Sequence, residues 1–147
     1  MPDSVRRETP IWRMATVADD EAVVAMCIGL YDEDPSPEPV ERGQVRRTLD
    51  RLRAEPERGR DVVCEVDGRT VGYALLISFW SNELGGEVCN IDERFVESAY
   101  RGRGLAADLF AVLIGSEQSF MAGESDGART RSESRKRACK GALRTAR

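Results

Sequence analysis

The sequence predicts an α/β domain with the element order β-α-α-β-β-β-α, and three observations carry that prediction. Short segments rich in β-branched and aromatic residues alternate with amphipathic segments of helical period. Asp67-Gly68 stands between two of the strand segments, a strong signal for a tight hairpin. A further strand segment runs into Arg101-Gly102-Arg103-Gly104 and then into an apolar helical stripe, which makes a strand–loop–helix unit.

Residues 1–10 are polar and are expected to be loose. The first strand is expected over 11–15. Thr16 is placed to cap a helix with Asp19 and Asp20 in its first turn, and Ala22, Val23, Met26, Cys27 and Leu30 form its buried face. The acid- and proline-rich stretch 32–39 is a loop. A strongly polar helix follows over 40–54, with Val45, Leu49 and Leu52 as its apolar line, and Pro56 and Gly59 end it. Strands are expected at 61–66 and 69–80, a turn at 81–86, a strand at 87–96 and a helix over 104–117.

Composition narrows the function classes. At 147 residues the chain suits one core, and 41% apolar and 33% charged residues are ordinary for a globular protein. No apolar run approaches bilayer-spanning length, and the N-terminus lacks the apolar stretch of a secretion signal. Cys27, Cys64, Cys89 and Cys139 have no metal-type spacing, and core thiols in a reducing cytoplasm are expected. With no histidine in the chain, the commonest general base and metal ligand is missing, and no metal is expected.

The loop from Arg101 to Ala106 is the chemically pointed segment. A loop feeding a helix N-terminus leaves several backbone N–H groups converging without partners, and the helix dipole favours negative charge there. Arg101 and Arg103 add positive charge, so a phosphate or pyrophosphate is the natural guest.

Arg101, Gly104 and Ala106 match the Arg/Gln-x-x-Gly-x-Gly/Ala signature of the GNAT acyl-CoA N-acyltransferases, and Ile91-Asp92-Glu93-Arg94-Phe95-Val96 resembles that family's fourth strand. The resemblance extends from about Trp12 to Glu117. It implies a mixed central sheet flanked by helices, here truncated after the helix that follows the pyrophosphate loop, in a partial domain over 11–118. It implies acetyl-CoA as cosubstrate and transfer of an acetyl group to a small-molecule or peptidyl primary amine by direct attack. Arg94, Phe95 and Val96 would meet the pantetheine arm, and Arg101, Gly102, Arg103, Gly104, Leu105 and Ala106 the pyrophosphate. A leucine is expected where Arg94 stands, on a face that packs under a helix, so Arg94 either snorkels, finds an acidic partner or marks a damaged sequence.

Glu93 is the candidate base, directly or through water, and the competing reading is a solvated strand acid. Strand alternation puts Ile91, Glu93 and Phe95 on one face. Asp92 is the weaker candidate, because a cross-strand ion pair would explain it as well. Of Phe79 and Trp80, near the acceptor side, one is expected to contact substrate and the other to be core. Tyr31 with Asp32-Glu33-Asp34 would steer a cationic amine, or is simply part of a solvated loop. The family's thiolate acid is commonly a tyrosine in a later motif, and Tyr31, Tyr73 and Tyr100 do not map onto it. The alternative to an enzyme is therefore a non-catalytic acyl-CoA-binding remnant without its general acid.

Residues 119–147 obey different rules. They carry eight Arg and Lys against three acids, whereas the first 118 residues carry 14 Arg against 23 acids. Composition alone gives a basic, low-complexity tail expected to be disordered, a genuine lineage-specific extension unless its reading frame has slipped. No aromatic residue interleaves its charges after Phe120, so nucleic acid is not the expected partner. Shifted forward by one nucleotide from Arg131, suitable codons for this tail spell EVSPENARAKALYERLG, which resembles the missing Asn-x-x-Ala-x-x-Leu-Tyr motif of the family. A slipped reading frame between about 114 and 130 would account for that coincidence. Without a fifth strand the fourth keeps an open edge, which makes a homodimer plausible.

Overall fold

The structure is a computed structural model that describes residues 9–115. Most of the expected loose N-terminus and the whole 119–147 segment lie outside the described residues. In chain order the elements are β1 (Ile11–Met14), a 3₁₀ turn (Val17–Asp19), α1 (Asp20–Glu33), α2 (Arg42–Ala54), β2 (Gly59–Val66), β3 (Arg69–Ser81), β4 (Gly86–Val96), a second 3₁₀ turn (Ser98–Tyr100) and α3 (Leu105–Gly115). The order matches the one expected from sequence.

The strands form one sheet in the order β1-β2-β3-β4, and every pairing among the described residues is antiparallel. Asp67 and Gly68 both take positive φ, 49° and 78°, the backbone that lets a two-residue turn follow the strand twist. The β3–β4 hairpin is longer than the sequence suggested, with Ser81 paired to Gly86 and the Gly85 N–H donating to Ser81 O at 2.8 Å.

The two sheet faces carry separate cores. Val63, Tyr73 and Leu75 pack under Val23, Val24 and Cys27 of α1 and Val45 and Leu49 of α2. Trp12, Cys64, Val71 and Ala74 pack under Leu105 and Leu109 of α3. Asp19, expected as a first-turn acid, does follow the Thr16 cap and is also a buried hub. Its carboxylate accepts from Arg13 Nη1 and Nη2 at 2.8 and 2.9 Å, from the Thr16 N–H at 2.8 Å and from the Thr70 hydroxyl at 3.1 Å. These bonds hold it well below the usual carboxylate range and tie β1, the entry to α1 and β3 together.

One expectation fails at β4. Leu75 pairs with Glu93 but Leu76 pairs with Ile91, so Asp92 is an extra residue and the strand is bulged there. The bulge reverses the alternation. Glu93 and Phe95 face α1, while Ile91 packs into the α3-side core rather than sharing their face.

Candidate active site

A cleft of about 320 Å³ opens between the end of α1, the last residues of β4 and the start of α3. Arg94, Phe95 and Val96 form its strand wall, Leu30 and Glu33 its helix wall, and Tyr100 to Gly102 with Gly104 to Ala106 its floor. Of the coenzyme residues expected from sequence, all but Arg103 line this one cleft.

The loop owes its shape to two glycines. Gly102 and Gly104 have φ of 76° and 79°, and a Cβ on either would meet nothing within 4 Å, so backbone conformation rather than crowding demands glycine. Gly104 O accepts the first α3 bond, from Asp108 N at 3.0 Å. The N–H groups of the residues between them have no partner inside the helix and lie at its positive end, beside the left-handed glycines, an arrangement suited to an anion. A buried hydrogen bond fixes this end in place: Trp12 Nε1 donates to Leu105 O at 2.8 Å, joining β1 to the first turn of α3.

The three arginines lean on the protein. Arg101 Nε donates to Val96 O at 2.8 Å, its Nη2 meets both oxygens of Glu33 at 2.9 Å, and its guanidinium lies 5.1 Å from the Phe95 ring centroid. Arg103 donates to Ala99 O and lies over the Tyr100 ring. Arg94 is exposed with its guanidinium 5.8 Å from the Phe110 ring centroid, so it snorkels past the helix and no buried charge arises.

Glu93 is half-buried one residue before the cleft wall, and burial pushes its carboxyl upward, with Asp92 adding to the rise. The Tyr31 hydroxyl and the Cys27 thiol oppose that rise as donors, the thiol at 3.8 Å from Oε1. Cys27 itself is pushed up to about 11, chiefly by burial. Beneath them the Tyr73 hydroxyl is fully buried beside the Cys27 thiol, and its ionisation is pushed far upward, chiefly by burial. A carboxylate raised in this way and close to a cleft has the character of a general base.

The acceptor-side residues separate. Tyr31 stands at Glu93. Phe79 and Trp80 are 50% and 65% exposed on the outer half of the β3–β4 hairpin, so neither is core, and neither lines the cleft. The strand pattern could not show this, because the hairpin runs past the end of the helical layer that covers its base. Sequence reading also missed Leu30, Glu33 and Tyr100 on the cleft, and Cys27 and Tyr73 around Glu93. The four-residue step from Cys27 to Tyr31 was the available clue, since it puts both on one face of α1.

Among the described residues no helix is long and apolar enough to cross a membrane, no group of three or more His, Cys, Asp or Glu could hold a metal, and Cys27, Cys64 and Cys89 are free.

Comparison with known proteins converges on one fold. The acetyltransferase (GNAT) family profile matches residues 24–120. A possible acetyltransferase from Clostridium difficile 630 superposes with a TM-score of 0.65 at 19% identity, covering 76% of this chain and 73% of its own. An integron cassette protein from the mobile metagenome of Cole Harbour Salt Marsh has a TM-score of 0.65 at 26% identity, covering 71% of this chain and 68% of its own. A predicted acetyltransferase from Clostridium acetobutylicum, crystallised with acetyl-CoA, gives 0.61 at 17% identity, covering 75% of this chain and 74% of its own. No curated protein sequence matches the chain.

Proposed function

This chain belongs to the GNAT acetyltransferase family, and from that premise we propose that it transfers an acetyl group from acetyl-CoA to a primary amine by direct attack. The observation that carries the reading is a juxtaposition on β4. Glu93 is a half-buried carboxylate with its ionisation raised, and the next three residues along the strand form the wall of the anion-binding cleft.

Acetyl-CoA supplies an activated thioester. The chain supplies position, charge stabilisation and a proton acceptor. Backbone N–H groups of the glycine loop and the first turn of α3 take the pyrophosphate, and β4 is the last strand among the described residues, so its outer edge is available to the pantetheine arm. An N–H at the bulged end of that strand is suited to stabilise charge developing on the thioester oxygen. Glu93 takes a proton from the acceptor ammonium, directly or through water, and Tyr31 and Cys27 orient its carboxylate for that task. No metal enters the scheme.

The alternative, an acyl-CoA-binding remnant, rests on the tyrosines of the described residues. Tyr31 is engaged by Glu93, Tyr73 is fully buried, and Tyr100 lies at the pyrophosphate end of the cleft. None is offered to the leaving thiolate.

One experiment separates the readings. Acetyl-CoA binding by calorimetry is paired with thiol release against a panel of amines, for the wild type and Glu93→Gln. The enzyme reading expects binding by both and turnover in the wild type that falls about 10²–10⁴-fold in the variant. Binding without turnover on any amine selects the remnant, and absence of binding removes both.

A further inference from the structure

Glu33 is the last residue of α1, where a carboxylate meets the negative end of the helix dipole, and no basic residue shares that turn. Helix chemistry therefore disfavours it. Its partner is 68 residues away in sequence: both Glu33 oxygens stand 2.9 Å from Arg101 Nη2. The two side chains line the same cleft as Gly102 and Gly104. Arg101 is otherwise spent on the scaffold, through its Nε bond to Val96 O and its stacking on Phe95. Its Nη2 is thus held beside the anion loop by a carboxylate, at the distance an anionic oxygen of a ligand would take.

We propose that Glu33 is a positioning residue of the coenzyme site, which holds Arg101 Nη2 beside the loop and yields it to the pyrophosphate when coenzyme binds. The inference rests on the reading of the cleft as a coenzyme site. A pyrophosphate brings negative charge to the same spot, so the Glu33 carboxylate must turn away as it arrives. The geometry allows that. Glu33 and Arg101 side chains are 52% and 43% exposed, a rotamer change at Glu33 moves its carboxylate into water, and an exposed pair is weak enough to be surrendered. Arg101 keeps its Val96 and Phe95 contacts throughout, so the group handed over is already in place.

The test is calorimetry on the full chain with CoA, dephospho-CoA and pantetheine as probes, for the wild type, E33Q, R101Q and E33Q/R101Q. E33Q is expected to bind CoA and dephospho-CoA about two- to fivefold tighter, the range an exposed ion pair allows. Pantetheine, which lacks the pyrophosphate, is expected to bind unchanged, and the gain is expected to vanish in the R101Q background. Where E33Q lowers the melting temperature, Glu33→Asp, one methylene short of Arg101, replaces it with the same expectation. CoA binding that is equal or weaker in E33Q than in the wild type overturns the proposal, as does an equal gain for pantetheine. Wild-type binding without any gain removes the hand-over alone. Absence of CoA binding in every folded variant removes the coenzyme reading, and the hand-over with it.

Discussion

At Glu93 three polar groups from two elements decide the behaviour of one carboxylate. Tyr31 and Cys27 donate from α1 and favour its charged form, while burial and Asp92 favour the neutral one. Tyr31→Phe removes a donor, so the acid limb of the kcat/KM profile is expected to move to higher pH, and Tyr31→Phe/Glu93→Gln is expected to show no such limb. A pH profile of both variants checks it, and a limb that stays in place would assign Tyr31 a packing role only. Asp61 offers a cleaner titration. It is buried on β2 with neither oxygen hydrogen-bonded, and burial, with Asp20 and Asp19 nearby, pushes it up to about 7 against the partial relief of Arg53. The folded chain then holds this proton more tightly than the unfolded one. Stability is fully present below about pH 4 and is lost progressively until about pH 7, by an amount on the order of a few kcal/mol. Asp61→Asn is expected to flatten that slope in urea melts at pH 4.5 and 8 and to be the more stable chain at the higher pH.

The glycine loop works as an element: the proposed anion site depends on both glycines keeping left-handed backbone. Gly104→Ala places a Cβ at φ 79°, a strain of about 1–2 kcal/mol, with open space around it. CoA affinity is expected to fall by about tenfold and the melting temperature by several degrees, and Gly85→Ala, at φ 62° in the β3–β4 turn, is expected to lower the melting temperature similarly but to leave affinity alone. Equal losses of affinity in both would show a general effect of glycine replacement. β4 shows the same logic in a strand. Its bulge at Asp92 sends Glu93 and Phe95 toward α1 while Ile91 serves the other core, so a single added residue lets one strand supply a carboxylate to one side and packing to the other.

For the whole molecule, a sheet with α1 and α2 on one face and α3 on the other explains how residues from 30 to 106 meet in one cleft. Residues 131–147 rewritten as EVSPENARAKALYERLG are expected to raise the melting temperature and CoA affinity relative to the chain as it stands, and removal of 119–147 is expected to change the melting temperature little. Differential scanning of the three chains checks both; a large loss on removal would overturn the slipped-frame reading, and the nucleotide sequence of the tail is its direct arbiter. Much of the domain was legible beforehand. Asp67-Gly68 marks its turn through its own backbone preferences, the apolar lines of α1 and α2 mark their buried faces, and Gly102 and Gly104 mark the loop that feeds α3. One of Phe79 and Trp80 was expected in the core and both are exposed, because alternation reveals which residues share a strand face and not where the covering helices stop.

The sequence by itself determined the element order, the position of the glycine loop and the family, because each depends on contacts or backbone preferences within a few neighbouring residues. Tertiary structure alone decided that Asp92 bulges, that Cys27, Tyr31 and Tyr73 gather at Glu93, and that Glu33 holds Arg101. Those contacts join residues tens of positions apart, and their partners are chosen by strand register and helix placement, which local composition does not encode.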